Sequence, residues 1–142
     1  MLEQKVLDLS EHRFQKAKSL LKQAEFLLNN QMYDGSINRS YYAIFNAIRS
    51  LLSLIKLDSK KHSGTLTLFD QYFVKTNIFD KRFSEIAHTA FDSRQDFDYD
   101  DFVIPSEKEA LPQFQNAQQL IAEVEFKRTQ LINGDLNLPE TS

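Results

Sequence analysis

Two groups of residues in this chain have the types and spacing to do chemistry. In the stretch YDGSINRSYYAIFNAIRSLL (33–52), Arg39, Tyr42, Asn46 and Arg49 recur at intervals of three, four and three. That period places them on one face of a helix. There a phenol can stack a base, a carboxamide can bond its edge, and two guanidiniums can neutralise phosphate. In FDSRQDFDYDD (91–101), Arg94 stands among Asp92, Asp96, Asp98, Asp100 and Asp101, with Tyr99 five residues further on. A guanidinium in a cleft suits a scissile phosphate, and Tyr99 stands where a catalytic partner would be. A neutral phenol is a weak base near neutrality, however, and no histidine follows Arg94; His12, His62 and His88 all precede it. Plainer readings stand beside these. Tyr41 and Tyr42 can be core residues with the arginines paired to aspartates of the acidic segment, or the stripe can be a dimer interface, where Tyr and Arg are enriched.

The elements that must position these residues all read as helices. Phe14, Ala17, Leu21, Ala24 and Leu28 repeat at three and four, giving a helix from about Ser10 to Asn30. A second helix runs from about Asp34, a suitable N-cap, to Ile55, with Ile37, Tyr41, Ile44, Ile48, Leu51 and Ile55 as its core stripe. Leu66, Phe69 and Phe73 mark a third. Phe79, Phe83, Ile86 and Ala90 mark a fourth, which starts near Asp80 and leaves Arg94 in an acidic loop. Ser106 and Glu109 form a capping box that opens a fifth, with Ala110, Phe114, Ala117, Ile121 and Val124 as its stripe. Pro112 should kink that helix or delay its start. Gly35, Gly64 and Gly134 read as turns, and no strand alternation stands out. The expected fold is all-α, an up-and-down bundle of four to five helices. It forms a single domain over 1–134, followed by a polar, disordered tail over 135–142.

Composition narrows the function. The chain has 142 residues, 42% of them hydrophobic and 12 of them phenylalanine, enough for a core of one domain. Its net charge is −3, so any contact with nucleic acid must come from local arginines rather than an overall basic surface. Cysteine is absent, which removes disulfides, thiolate nucleophiles and cysteine-held metals. The charged N-terminus and the lack of a long apolar run point to a cytoplasmic protein without membrane contact.

Together, the second-helix segment, the KKHSG that follows it, the RQDFDYDDF turn and the final amphipathic helix resemble the HEPN family of small helical proteins. The match runs over about residues 10–130, closest to the prokaryotic branch with an SRxYYAxFxAxRxLL-like helix and an R-x-x-x-DY-like turn. The resemblance implies a helical bundle, usually a homodimer, with the turn facing a shared cleft. Active members are metal-independent endoribonucleases with an arginine, a few variable residues and a histidine, and many are paired with a minimal nucleotidyltransferase as toxin and antitoxin. Carried over, Arg94 matches the family arginine and Gln95 its polar follower, while Tyr99 or an aspartate occupies the histidine position. The resemblance therefore implies a degenerate ribonuclease motif, on a module that binds RNA or nucleotide without a metal or other cofactor. An active endoribonuclease toxin and a purely structural scaffold are its alternatives. Tyr99 would also be an acceptor for nucleotidylation by such a partner.

Three further patterns carry less. Asp96, Asp98, Asp100 and Glu107 match positions of a calcium loop, but Asp101 stands where the sharp turn needs glycine. Glu85 and His88 form one E-x-x-H unit, where a di-iron bundle needs two. Lys60, Lys61 and His62 make a short basic turn, with phosphate contact from the lysines as its sharper reading; in the resembled family a similar histidine often starts the third helix, which implies that His62 caps or packs rather than catalyses.

Overall fold

The computed structural model describes residues 2–99 and 101–141, with Tyr99 described in its backbone only. Among the described residues there are five α-helices and no strands. They are α1 (Gln4–Asn29), α2 (Tyr33–Leu54), α3 (His62–Phe69), α4 (Lys81–Tyr99) and α5 (Glu107–Asn133), with a π-helical turn, Asp70–Val74, continuing α3. The expected all-α bundle is the observed fold. Helix α2 is its axis and packs against each of the other four.

The sequence explains that central place. Ile37, Tyr41, Ile44, Ile48, Leu51 and Leu52 are all fully buried, and Ala43 and Ala47 beside them let neighbouring backbones come close. On α1, Ala17 and Ala24 do the same, and Ser36 of α2 donates its hydroxyl to the Ala24 carbonyl at 2.8 Å. The far end of the core is aromatic, with Phe69 against Phe79 at 5.3 Å between ring centroids and Phe79 against Phe83 at 5.9 Å, both edge-on.

Helix α1 starts at Gln4, a turn and a half before the sequence reading places it. Ser10 lies inside the helix as a buried member of the stripe Val6, Ser10, Phe14, Ala17. Its hydroxyl donates to the Ser50 carbonyl of α2 at 2.7 Å and accepts from Arg128 Nε of α5 at 2.8 Å. Arg128 also pairs with Glu11 at 2.9 Å and lies over the Phe14 ring, so its guanidinium ties α5 to α1, and Ser10 extends the chain to α2. Buried polar groups are tolerable when satisfied in this way.

Several expected helix ends move. Asp34 lies in the first turn of α2, one residue after its start, and its carboxylate accepts from the Gly35 amide; Met32 is the capping residue. Gly35 and Gly64 lie inside helices, and only Gly134 ends one, in the left-handed conformation at φ 82°. Helix α5 opens on the expected capping box, with no delay from Pro112. The acidic segment is not a loop: α4 continues through Tyr99, and Asp80 accepts from the Arg82 amide at its start. Nothing between Ala90 and Tyr99 is a glycine or proline, so an apolar stripe that fades there ends the burial but not the helix. Asp96 and Asp98 are thus helical, which removes the calcium-loop geometry, while Asp100 lies outside the described residues. His88 bonds Asp70 at 2.7 Å. Leu136 and Leu138, beyond α5, are partly buried against the core.

Gly64 fixes the connection that delivers α3. A Cβ there would stand 2.2 Å from Ser59 Oγ, while that oxygen accepts from the Lys61 amide, next to the helix start. Gly64→Ala is expected to destabilise the fold by about 1–2 kcal/mol, with Ser59→Ala in the same chain recovering most of it. Denaturant titration of both variants checks this, and an undisturbed single variant would contradict the close approach.

Candidate functional site: an arginine and histidine cluster on two tyrosines

The site is built around Tyr41. Its place in the α2 core stripe leaves the residue 1% exposed, yet the side chain meets polar groups on two sides. On one, the Arg94 guanidinium of α4 lies 5.0 Å from the Tyr41 ring centroid and 5.7 Å from that of Tyr42. On the other, the Tyr41 hydroxyl is 2.7 Å from Nδ1 of His62, the first residue of α3. The His62 ring stacks on Phe45 at 4.3 Å and on Tyr41 at 5.7 Å, and meets Tyr42 edge-on at 5.8 Å. Phe91 of α4 closes the back of the group at 6.0 Å from Tyr41.

A second guanidinium borders the cluster. Arg49 lies 5.7 Å from the Phe45 ring centroid and donates to Asp58 at 3.1 Å. Arg13 of α1 reaches the same Asp58 oxygen at 3.1 Å and bonds Ser53 at 2.7 Å. Partial burial raises the Asp58 pKa, but hydrogen bonds from Arg49 and the Ser59 amide, with the charges of Arg49 and Arg13, outweigh it and hold the carboxyl below the usual carboxylate range. Arg49 Nε is buried and makes no hydrogen bond among the described residues. Arg94 pairs with Asp98 one turn along its own helix, at 3.2 Å.

Aromatic faces hold guanidinium groups through their quadrupole, and here they hold two, Arg94 buried and Arg49 partly exposed. The electrostatic consequence falls on His62. Burial, then the positive charges of Arg94 and Arg49, push its pKa below the ordinary value, so the imidazole is kept neutral. Burial pushes the Tyr41 phenol strongly upward, so it remains protonated.

The residues singled out from the sequence are divided by this geometry. Tyr42, Arg49 and Arg94 come together. Asn46 is buried, and its carboxamide donates to the Tyr42 carbonyl at 2.8 Å. Arg39 lies away from the cluster, beside α1, bonded to Gln23 at 3.3 Å and Asn38 at 3.0 Å. Gln95 is exposed on α4 next to Arg94, and the Tyr99 side chain lies outside the described residues. Arg49 takes its aspartate from the α2–α3 connection rather than from the segment after Arg94. The residue that sequence reasoning placed outside the chemistry is His62, and only its position directly after Lys60 and Lys61 hinted otherwise.

The lowered His62 pKa gives a signed expectation. The folded chain binds fewer protons than the unfolded chain here, so the stability that His62 contributes is present above the ordinary imidazole range. It is lost as pH falls through that range toward the folded-state value. Denaturant stability measured from about pH 7.5 to about pH 5 is expected to fall more steeply for the native chain than for His62→Gln. Parallel profiles would show that His62 is not held neutral.

Comparison with known proteins agrees with this architecture. The HEPN domain family model matches residues 10–127. The chain is 36% identical over 100 residues to a Methanocaldococcus jannaschii protein named "Putative toxin MJ0142", covering 70% of this chain and 68% of that one. It is 35% identical to a UPF0332 protein of Thermotoga maritima, covering 62% of this chain and 67% of that one. A Gloeobacter violaceus UPF0332 protein is 42% identical over 40% of this chain and 45% of its own length. With a family match over most of its length and its helices arranged as described, the chain belongs to the HEPN domain family.

Proposed function

We propose that this HEPN protein is a toxin-like module that binds single-stranded RNA or a nucleotide through the Arg94 cluster. The observation that carries the reading is the stacking of Arg94 on Tyr41 and Tyr42, beside Arg49 and a neutral His62. A guanidinium fixed on aromatic faces is already ordered before it meets phosphate, so little conformational freedom is lost on binding. Half-buried Tyr42 offers a base a stacking edge. The toxin-like setting rests on the names of two Methanocaldococcus jannaschii relatives. In that setting the protein works in the cytoplasm with a minimal nucleotidyltransferase partner. Its Arg94 motif, with Tyr99 in the histidine position, is degenerate for cleavage.

A homodimer is part of the same reading. Phe102 is 95% exposed and Ile104 84% exposed in the segment that follows α4, and apolar groups in such a position favour a protein interface. The structural reading draws on the Arg94–Asp98 pair, which would satisfy the arginine without any ligand.

Two measurements separate these readings. Arg94→Lys keeps the charge but loses the planar fork. It is expected to weaken binding of single-stranded RNA, followed by fluorescence anisotropy at low salt, by about tenfold with melting temperature changed by only a few degrees. A collapse in stability with unchanged RNA affinity would make Arg94 a structural residue. Ile104→Asp is expected to turn a dimer into a monomer by light scattering; an unchanged mass would place the interface elsewhere.

A further inference from the structure

The hydrogen bond between Tyr41 and His62 assigns a proton. Tyr41 is 1% exposed, and its hydroxyl meets one polar group among the described residues, His62 Nδ1 at 2.7 Å. If Nδ1 carried the proton, the buried phenol hydrogen would have no acceptor, which costs a full desolvation penalty. The phenol therefore donates, Nδ1 accepts, and the neutral imidazole carries its hydrogen on Nε2. Nε2 itself makes no hydrogen bond among the described residues, and the ring is only partly buried.

We propose that His62 is a ligand-binding residue of this cluster, presenting Nε2–H as a neutral donor to a phosphodiester oxygen alongside Arg94 and Arg49. This rests on the reading of the cluster as an RNA or nucleotide site. The groups facing the ring are Tyr41, Tyr42 and Arg49 from α2 and Arg94 from α4, and none of them is an anion that would draw a second proton onto it. His62 also shares a ring neighbour with each arginine, Tyr41 with Arg94 and Phe45 with Arg49. Both cations thus act on the imidazole, each across a ring that it shares with His62. A neutral donor in that position adds a hydrogen bond to the anion without a third positive charge to repel the two guanidiniums. A neutral imidazole polarising an oxygen is an established catalytic device, so the same arrangement would also stabilise charge on a phosphoryl oxygen.

The test uses the full chain and a short 2′-O-methyl oligouridine, which binds as RNA does but cannot be cleaved through its 2′-oxygen. Long-range nitrogen–proton NMR of the native protein is expected to show His62 as the Nε2–H tautomer, with its Nε2 resonance moving on addition of the oligonucleotide. Tyr41→Phe is expected to release the ring into a mixture of tautomers. His62→Ala is expected to weaken binding by about tenfold, and His62→Gln, whose amide can reach the Nε2 position, to recover part of it. An Nδ1–H tautomer in the native protein, or native affinity in His62→Ala, would overturn the assignment while leaving the RNA site standing. A native protein that fails to bind the oligonucleotide would overturn the site and this role of His62 together.

Discussion

Everything at the site depends on one buried phenol. Tyr41 belongs to the core stripe of α2, so its position is fixed by the packing that holds the whole bundle together. From that fixed point its face holds a guanidinium from α4 and its hydroxyl holds an imidazole from α3. Helices far apart in sequence are thereby brought to a common reference. Preorganisation of this kind comes from rigid elements supporting a site rather than from loops that close over it.

The rest of the fold serves that arrangement. At Ser36 and in the Arg128–Ser10–Ser50 chain, serine hydroxyls on buried helix faces are hydrogen-bonded as α1, α2 and α5 come together. The close passage of Gly64 past Ser59 sets the start of α3, which is where His62 must stand. Three arginines face this side of α2, yet their surroundings differ. Arg13 and Arg49 share one carboxylate, and Arg94 lies across two rings beside an aspartate of its own helix. Arg94 is buried among those rings, and Arg49 keeps a larger share of its side chain at the surface.

Much of this was legible in the residues. The helical period of α2, the capping box of α5 and the prominence of Arg94, Tyr42 and Arg49 all follow from short-range spacing, which a single sequence displays directly. What was hidden depends on long-range contact. His62 and Tyr41 are 21 residues apart, and no local pattern announces that a hydroxyl from one helix will orient a ring on another. The first helix reads from about Ser10, whose partner Arg128 is 118 residues away and so invisible to local spacing. Helix α4 outlasts its apolar stripe because its last turns face outward, and a helix with a solvated end carries no hydrophobic period to mark it. Arg39 fell on the right period but on the flank beside α1, a distinction that only packing can make.

The central claim is that the guanidiniums gathered around Tyr41 and Tyr42 receive a phosphate. Arginine side-chain NMR, following each Nε–H resonance as single-stranded RNA is added without metal, tests it most directly. The account predicts that Arg94 and Arg49 shift together and saturably while Arg39 and Arg82 stay in place. Shifts confined to other arginines, or none at saturating RNA, would contradict it and leave the cluster as a device of packing alone.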